Sequence, residues 1–366
     1  VAVELPPAAV PVLNVPTTAF NGSYGISWSA SAGAERFELE ESANGGAWTQ
    51  VHNAAGQSKA FSGKPAGSFN YRVRACNPVG CTEYSNGAAV MVVYPPVGAP
   101  GVSAPARSAP GSIGIGWNGI GGADRYTLQE STNGGGWVTL ADAHVVSFAT
   151  PARGVGTYAY RVAACNGAGC GPWSGSATVA VIGAPTIEPV ISAPGLVNVP
   201  QYSFSWSVPA NSESFILEES ANGGGWTVVH NGGANSFGAD RGKGSYAYRV
   251  RACNFAGCSP YSGIVSVSVV LPPAATQIFL AEWLSTRKAP YQVQCTVSWR
   301  AVAGATEYHL EPSGAGRRLY TGPLTYVQSN NGNYCSSLYI VRACNAGGCS
   351  QWSAGFPVTR GVLNWD

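Results

Sequence analysis

The chain has 366 residues, only 10% of them charged, and a formal net charge of +2. That balance excludes a dominant electrostatic partner such as nucleic acid, and no run of 18 apolar residues offers a membrane-spanning helix. Gly (48) and Pro (25) stay below the range that marks disorder, while 45% hydrophobic and 11% aromatic residues supply material for cores.

The chain opens on VAVELPP (Val1–Pro7), which is similar to VMVVYPP (Val90–Pro96) and VSVVLPP (Val267–Pro273). Those two stretches close repeats, so residues 1–7 are expected to be the last strand of an earlier repeat. The chain is then a segment of something longer, with any export signal upstream.

The first complete repeat begins near Ala8. Its proline-rich AAVPVLNVP (Ala8–Pro16) suits an edge strand, because proline cannot serve both sides of a ladder. Tyr24, Ile26 and Trp28 then alternate with Gly25 and Ser27, the period of a strand with one buried face. Phe37, Leu39 and Glu41 share one face of the next strand. NGGAW (Asn44–Trp48) follows, and Asn-Gly between alternating runs predicts a hairpin, since such turns need positive φ. The strand YRVRAC (Tyr71–Cys76) comes next, then a short turn to Cys81 and a last strand, Ala88–Tyr94, closed by Pro95-Pro96.

All of this returns. YRVRACNPVGC (Tyr71–Cys81) recurs as YRVAACNGAGC from Tyr160, YRVRACNFAGC from Tyr248 and YIVRACNAGGC from Tyr339, with first cysteines 89, 88 and 91 residues apart. The tryptophan strand recurs at Ile113–Trp117, Tyr202–Trp206 and Cys295–Trp299, and the Asn-Gly turn at Asn133 and Asn222. A period near 90 exceeds that of solenoid units and suits domains that fold alone in tandem. The expected division is residues 1–7, then 8–96, 97–184, 185–272 and 273–366. With about seven short strands per repeat and no helical periodicity, the fold class is all-β, four β-sandwiches in a row. Pro-containing linkers at 97–100, 183–185 and 271–273 restrict hinge motion.

Eight cysteines form C-x4-C pairs: Cys76/Cys81, Cys165/Cys170, Cys253/Cys258 and Cys344/Cys349. Each pair is expected to bridge its own hairpin, stabilising it by roughly 2 kcal/mol on the chain-entropy account. Zinc is the alternative. However, no histidine is near any pair in sequence, and the pairs fall in separate repeats, so four ligands do not converge. Redox motifs favour a shorter C-x-x-C spacing. Cys295 and Cys335 occur only in the fourth repeat. They take the places of Tyr24 and Gly67 at the starts of two strands that run the same way in opposite sheets, which predicts an inter-sheet bridge. Ten paired cysteines require an oxidising compartment, so the protein is expected to be extracellular or at a cell surface.

The tryptophan, the aromatic on the second strand and the Tyr-x-Val strand together resemble the fibronectin type III family, over almost the whole chain in four copies. The resemblance implies seven strands in two antiparallel sheets, no catalytic site, and spacer, adhesion or receptor roles outside cells. Beyond each second cysteine stands an aromatic-Ser pair: Tyr84-Ser85, Trp173-Ser174, Tyr261-Ser262 and Trp352-Ser353. It looks like half of the Trp-Ser-x-Trp-Ser signature of cytokine receptors, in which the aromatic stacks on arginines of the preceding strand. Here Arg72, Arg74, Arg161, Arg249, Arg251 and Arg342 are available for that contact. The missing second tryptophan means that receptor function is not carried over; a ladder that stiffens the outer sheet face is favoured over a ligand platform. Arg-Gly-Asp is absent from the turn after the sixth strand.

No Ser-His-Asp or paired-carboxylate set recurs, so no catalytic, cofactor or metal residue is expected. His52 and His230 fall at equivalent places, as structural residues do. Glu41, Glu130 and Glu219 recur at a strand end, suited to capping the adjacent turn or pairing with arginine rather than to acid catalysis. Asn21-Gly-Ser23 is a lone glycosylation sequon. Trp48, Trp137 and Trp226 recur after the Asn-Gly turns; each covers the open edge of its own sandwich, or the three line up as a carbohydrate strip. The fourth repeat departs, with GAGRRLY (Gly314–Tyr320) for the tryptophan turn and GVLNWD without a closing Pro-Pro.

The expected function is a non-enzymatic stalk, adhesin shaft or fibre of an exported, bacterial surface or secreted protein. A filament formed by strand addition through Val1–Leu5 belongs to this class. The alternative is a carbohydrate-binding or spacer region of a secreted polysaccharide-degrading enzyme or a large toxin.

Overall fold

The computed structural model describes residues 4–285, 293–330 and 335–362, and every regular element among them is a β-strand. The chain divides into two compact units, Val1–Gly183 and Ala184–Asp366. Each unit contains two clusters of buried apolar side chains, one per sequence repeat.

The first repeat supplies β1 (Leu13–Asn14), β2 (Thr18–Phe20), β3 (Tyr24–Trp28), β4 (Arg36–Ala43), β5 (Thr49–Ala54), β6 (Ser58–Phe61), β7 (Gly67–Cys76) and β8 (Ala88–Val93). They form two sheets, ordered β1-β3-β6 and β2-β8-β7-β4-β5. This is the two-sheet sandwich that the fibronectin type III resemblance implies. Alternation builds the core between the sheets: Ile26 and Trp28 from β3 meet Phe37 and Leu39 from β4 and Tyr71 and Val73 from β7. In the β4–β7 ladder Phe37 stands opposite Ala75, Leu39 opposite Val73 and Glu41 opposite Tyr71. The second and third repeats reproduce both sheets over the equivalent strands.

The proline-rich opening supplies β1, an edge strand as the sequence suggested, and beyond it the chain passes to the other sheet as β2. β1 pairs antiparallel with β3, whereas β2 pairs parallel with β8. Pro16 lies between them; without an N–H it cannot continue the ladder, and the chain crosses over there. Pro105 and Pro194 sit at the same crossing, between Val102–Ser103 and Arg107–Ser108 and between Ile191–Ser192 and Leu196–Val197. The fourth repeat has Ala281 at that place. Its first strand, Ile278–Ser285, runs unbroken in one sheet against Val293–Trp299. The return at the other end is altered to match. Phe356–Pro357 pairs with Leu338–Asn345, but Thr359–Val362 pairs parallel with Ile278–Ser285.

The Asn-Gly turns form as the sequence predicts. Asn44, Asn133 and Asn222 all have φ of 51°, and the glycines after them lie at 75–77°. Each asparagine also braces the seventh strand: Ser68, Thr157 and Ser245 donate N–H to its Oδ1 at 2.8–2.9 Å. Of the opening stretch, residues 1–3 lie outside the described residues and Glu4–Pro7 is not strand. Of the closing GVLNWD, residues 363–366 likewise lie outside. No described helix is long and apolar enough to cross a membrane.

Candidate functional site

All ten cysteines are paired. The four C-x4-C bridges each hold Cα atoms 4.0 Å apart across a hairpin. What they fasten is a turn with an asparagine at its centre. Asn77 Oδ1 accepts N–H bonds from Val79 and Gly80 at 3.0 and 3.1 Å, which orients its amide outward. Asn77 Nδ2 then donates to Leu5 O at 2.8 Å, in the segment that enters the repeat. Asn166 donates to Tyr94 O at 2.8 Å and Gly122 O at 3.0 Å. Asn345 donates to Leu271 O and Gly304 O, both at 3.1 Å. Donor and acceptor are 72, 72 and 74 residues apart, so the contact recurs with the repeat itself.

Proline follows the acceptors Leu5, Tyr94 and Leu271 and lies on the glycine that precedes the second cysteine. A Cβ on Gly80, Gly169 or Gly348 would sit 3.6, 3.4 and 3.7 Å from Pro6, Pro95 and Pro272 Cγ. The approach beside it is closer still. Any side chain at Gly171 would overlap Pro96 O, and any at Gly347 would overlap Val270 O. Within each unit, then, the disulfide turn is a socket for the X-Pro segment that joins one repeat to the next. Sequence reasoning saw the Asn and Gly of this turn but not their use. The signal was present in the fixed spacing between X-Pro and Cys-Asn.

A second constellation covers the face of the larger sheet. Ser85 holds its strand in place by donating N–H to Val73 O at 2.8 Å and accepting Val73 N–H on Oγ at 3.1 Å. Ser174, Ser262 and Ser353 do the same against Val162, Val250 and Val341. The aromatic before each serine is thereby set over the arginine of the seventh strand. The Arg72 guanidinium lies 4.3 Å from the Tyr84 ring centre and 4.4 Å from that of Trp48. Arg161 lies 4.2 Å from Trp137 and 4.4 Å from Trp173, and Arg249 lies 4.3 Å from both Trp226 and Tyr261. The sequence treated the turn tryptophans and the aromatic-Ser pairs as separate features. They meet on one guanidinium, and such contacts contribute about 0.5–2 kcal/mol each. In the fourth repeat Arg342 has Trp352 at 4.5 Å.

Carboxylates complete two of these stacks. Arg72 pairs with Glu40 at 2.7 Å and Arg249 with Glu218 at 2.6 Å; in the second repeat Arg161 donates instead to Gln129 Oε1 at 2.8 Å. Burial alone would raise the Glu40 carboxyl. Hydrogen bonds from Arg72 and Tyr84 outweigh it and hold the group below its ordinary value. Glu218 is held down in the same way by Tyr261 and Arg249.

The recurrent strand-end glutamates face the other way, into the sandwich. Glu41, Glu130 and Glu219 are each 7% exposed and pair with Lys64 at 2.5 Å, Arg153 at 2.7 Å and Arg241 at 2.8 Å. Tyr71 donates to Glu41 at 2.5 Å, and Tyr24 in turn donates to Tyr71 at 2.5 Å. Tyr202, Tyr248 and Glu219 repeat the chain, each step at 2.6 Å. Burial first, and the bond to the carboxylate second, push the Tyr71 and Tyr248 hydroxyls well up. In the first and third repeats each of these glutamates is thus held between a cation and a buried tyrosine hydroxyl. His52 packs edge-on against the core tryptophan Trp28, with ring centres 5.2 Å apart, and His230 lies tilted against Trp206 at 5.8 Å. A surface hollow of about 630 Å³ on the third repeat is lined by Ser192, Ser203, Ser205 and Ser236 with apolar neighbours, and no titratable side chain enters it.

In the fourth repeat Cys295, on one sheet, is bonded to Cys335, just before the strand Leu338–Asn345 of the other. Among the described residues, two histidine- or carboxylate-bearing clusters have ligand atoms close enough for a cation, His309 with Cys344 and Cys349 and Glu38 with Cys76 and Cys81, but their sulfurs are engaged in disulfides.

No protein-family model matches the chain, and no curated protein matches it. Among solved structures, the FN1-FN3 domains of chicken CNTN1 are similar to it at 17% identity and a TM-score of 0.35, over 72% of this chain and 98% of that one.

Proposed function

We propose that the protein is a non-enzymatic extracellular structural or adhesive rod, a stalk, adhesin shaft or surface fibre. Its fibronectin type III-like domains span 8–96, 97–184, 185–272 and 273–366, with residues 1–7 closing an earlier domain. The observation that carries this reading is the recurrent seat of an X-Pro segment on a disulfide-fastened turn. A junction held by proline, by a hydrogen bond and by a glycine too close for any side chain loses the freedom of an ordinary linker. Five disulfides suit an oxidising compartment. Small-angle scattering of the unreduced full chain tests it. A single extended particle is expected, and Asn166→Ala with Asn345→Ala should broaden its distance distribution. A curve of freely jointed beads in the parent chain overturns the reading. Monomeric mass at high concentration overturns its filament form, in which a strand is donated to a neighbouring chain.

One observation favours a carbohydrate-binding region as the second reading. Trp48, Trp137 and Trp226 are each held from one side by a guanidinium, so a sugar would meet a ring already fixed in place. Binding on a glycan array that is lost in Trp137→Ala and Trp226→Ala supports it, and no binding to any polysaccharide removes it.

A further inference from the structure

The four hairpin bridges share a turn but not a neighbour. The strand paired with each cysteine-bearing strand brings a different side chain to one register position: Glu38 opposite Arg74, Thr127 opposite Ala163, Ile216 opposite Arg251 and His309 opposite Arg342. Glu38 is within reach of the Cys76–Cys81 sulfurs, and Thr127 Oγ1 lies 3.4 Å from Cys165 Sγ. His309 is 6% exposed, with Nδ1 3.5 Å from Cys344 Sγ and 3.9 Å from Cys349 Sγ. Arg342 Nε donates to that Nδ1 at 3.2 Å, which leaves the ring proton on Nε2, toward Glu307 Oε1 at 3.0 Å.

We propose that Cys344–Cys349 is a thiol-exchange site, the redox-sensitive one of the four hairpin bridges, opened by an external dithiol ahead of the other three. The dithiol's thiolate attacks Cys349 Sγ, the less buried of the two sulfurs. The S–S bond breaks and its electron pair leaves on Cys344. The reductant's second thiol then attacks the mixed disulfide and departs as a cyclic disulfide. The two protons its thiols lose end on Cys344 and Cys349. An imidazole at this distance assists in two ways. Its Nε2–H lies 3.7 Å from Cys344 Sγ as a donor to the departing thiolate, and Arg342, hydrogen-bonded to Nδ1, places a positive charge behind the ring. The other sites lack this. The Glu38 carboxylate opposes a neighbouring thiolate, the Thr127 hydroxyl offers one neutral hydrogen bond, and Ile216 offers none.

Solvent access alone gives the opposite order, which makes the inference testable. Cys170 and Cys258 are exposed, whereas Cys349 is only half-exposed. Opening the fourth bridge would also slacken Asn345, and with it the hold on Leu271; this consequence rests on the reading of the turn as a linker socket.

The experiment treats the full chain with increasing dithiothreitol, quenches with iodoacetamide and maps labelled cysteines by mass spectrometry. Labelling of Cys344 and Cys349 is expected roughly tenfold faster than at the other three pairs, as a leaving thiolate stabilised by a neighbouring N–H donor implies. His309→Ile should bring it into their range, and Ile216→His should raise Cys253 and Cys258, which covers the case of a His309 variant that fails to fold. Earlier labelling at Cys165–Cys170 or Cys253–Cys258 overturns the proposal, as do rates unmoved by both substitutions. Selective labelling with unchanged scattering supports the exchange site while overturning the linker socket.

Discussion

The third and fourth repeats lie in one compact unit and both tie one sheet to the other, but by different chemistry. In the third, Tyr202 on the smaller sheet reaches Tyr248 on the larger, and Glu219 and Arg241 finish the chain. In the fourth, the tyrosine of the smaller sheet is replaced by Cys295, which is bonded to Cys335. The glutamate's place is taken by Pro312, opposite Tyr339, and the Tyr339 hydroxyl accepts the Ser336 N–H at 2.8 Å. A polar tie requires a buried carboxylate to be fully partnered. A covalent tie removes that requirement, and the buried charge is gone from the repeat that has it.

This contrast can be broken from either side. Replacing Cys295 and Cys335 by alanine opens a loop with sequence separation 40, which costs about 4 kcal/mol on the chain-entropy account. The loss should appear as faster hydrogen exchange across Val293–Trp299 and Leu338–Asn345, with the third repeat unchanged. Unaltered exchange there would show that the bridge is not what holds these sheets. On the other side, Glu219→Ala strips Arg241 and Tyr248 of their shared partner inside the sandwich. Removing one member of a buried pair costs about 3 kcal/mol. It should lower protection along Gly244–Asn254 and spare the fourth repeat. A cost much below that of a surface pair would mean that the tyrosine pair alone carries the tie.

Much of this was legible from residue order, for reasons that are local. Alternation at Tyr24–Trp28 and Phe37–Glu41 placed core faces correctly because a strand has only two sides. Asn44-Gly45 gave its turn because few other pairs tolerate positive φ. The prolines of 8–16 mark an edge strand, as the structure has it, but do not by themselves announce that the chain changes sheets at Pro16. What stayed hidden was made by distant residues meeting. Trp48 and Tyr84 converge on Arg72 from two different strands, and no spacing between them announces a shared guanidinium. The socket for Tyr94–Pro96 is built 72 residues downstream. The crossing of Thr359–Val362 into the first strand's sheet depends on that strand having no proline, a fact about the opposite end of the repeat.

A finer contrast lies on the outer face, between repeats that use a carboxylate against the stacked arginine and the one that uses an amide. Glu40 and Glu218 are held below the ordinary carboxylate range in the folded state. Their contribution is therefore fully present above the unfolded value of about 4.3 and is lost as pH falls through the folded value below it. Gln129 occupies the equivalent place opposite Arg161 and does not titrate. Acidification from pH 5 to 3 should thus loosen the Trp48–Arg72–Tyr84 and Trp226–Arg249–Tyr261 stacks and leave Trp137–Arg161–Trp173 in place, which near-ultraviolet circular dichroism can follow. Glu218→Gln copies the second repeat into the third. At neutral pH it should cost under about 1 kcal/mol, as partly exposed pairs do, and it should flatten the acid response of that stack. Equal acid sensitivity in the Gln129 stack would mean that the carboxylate is incidental and that the arginine is held by its two rings alone.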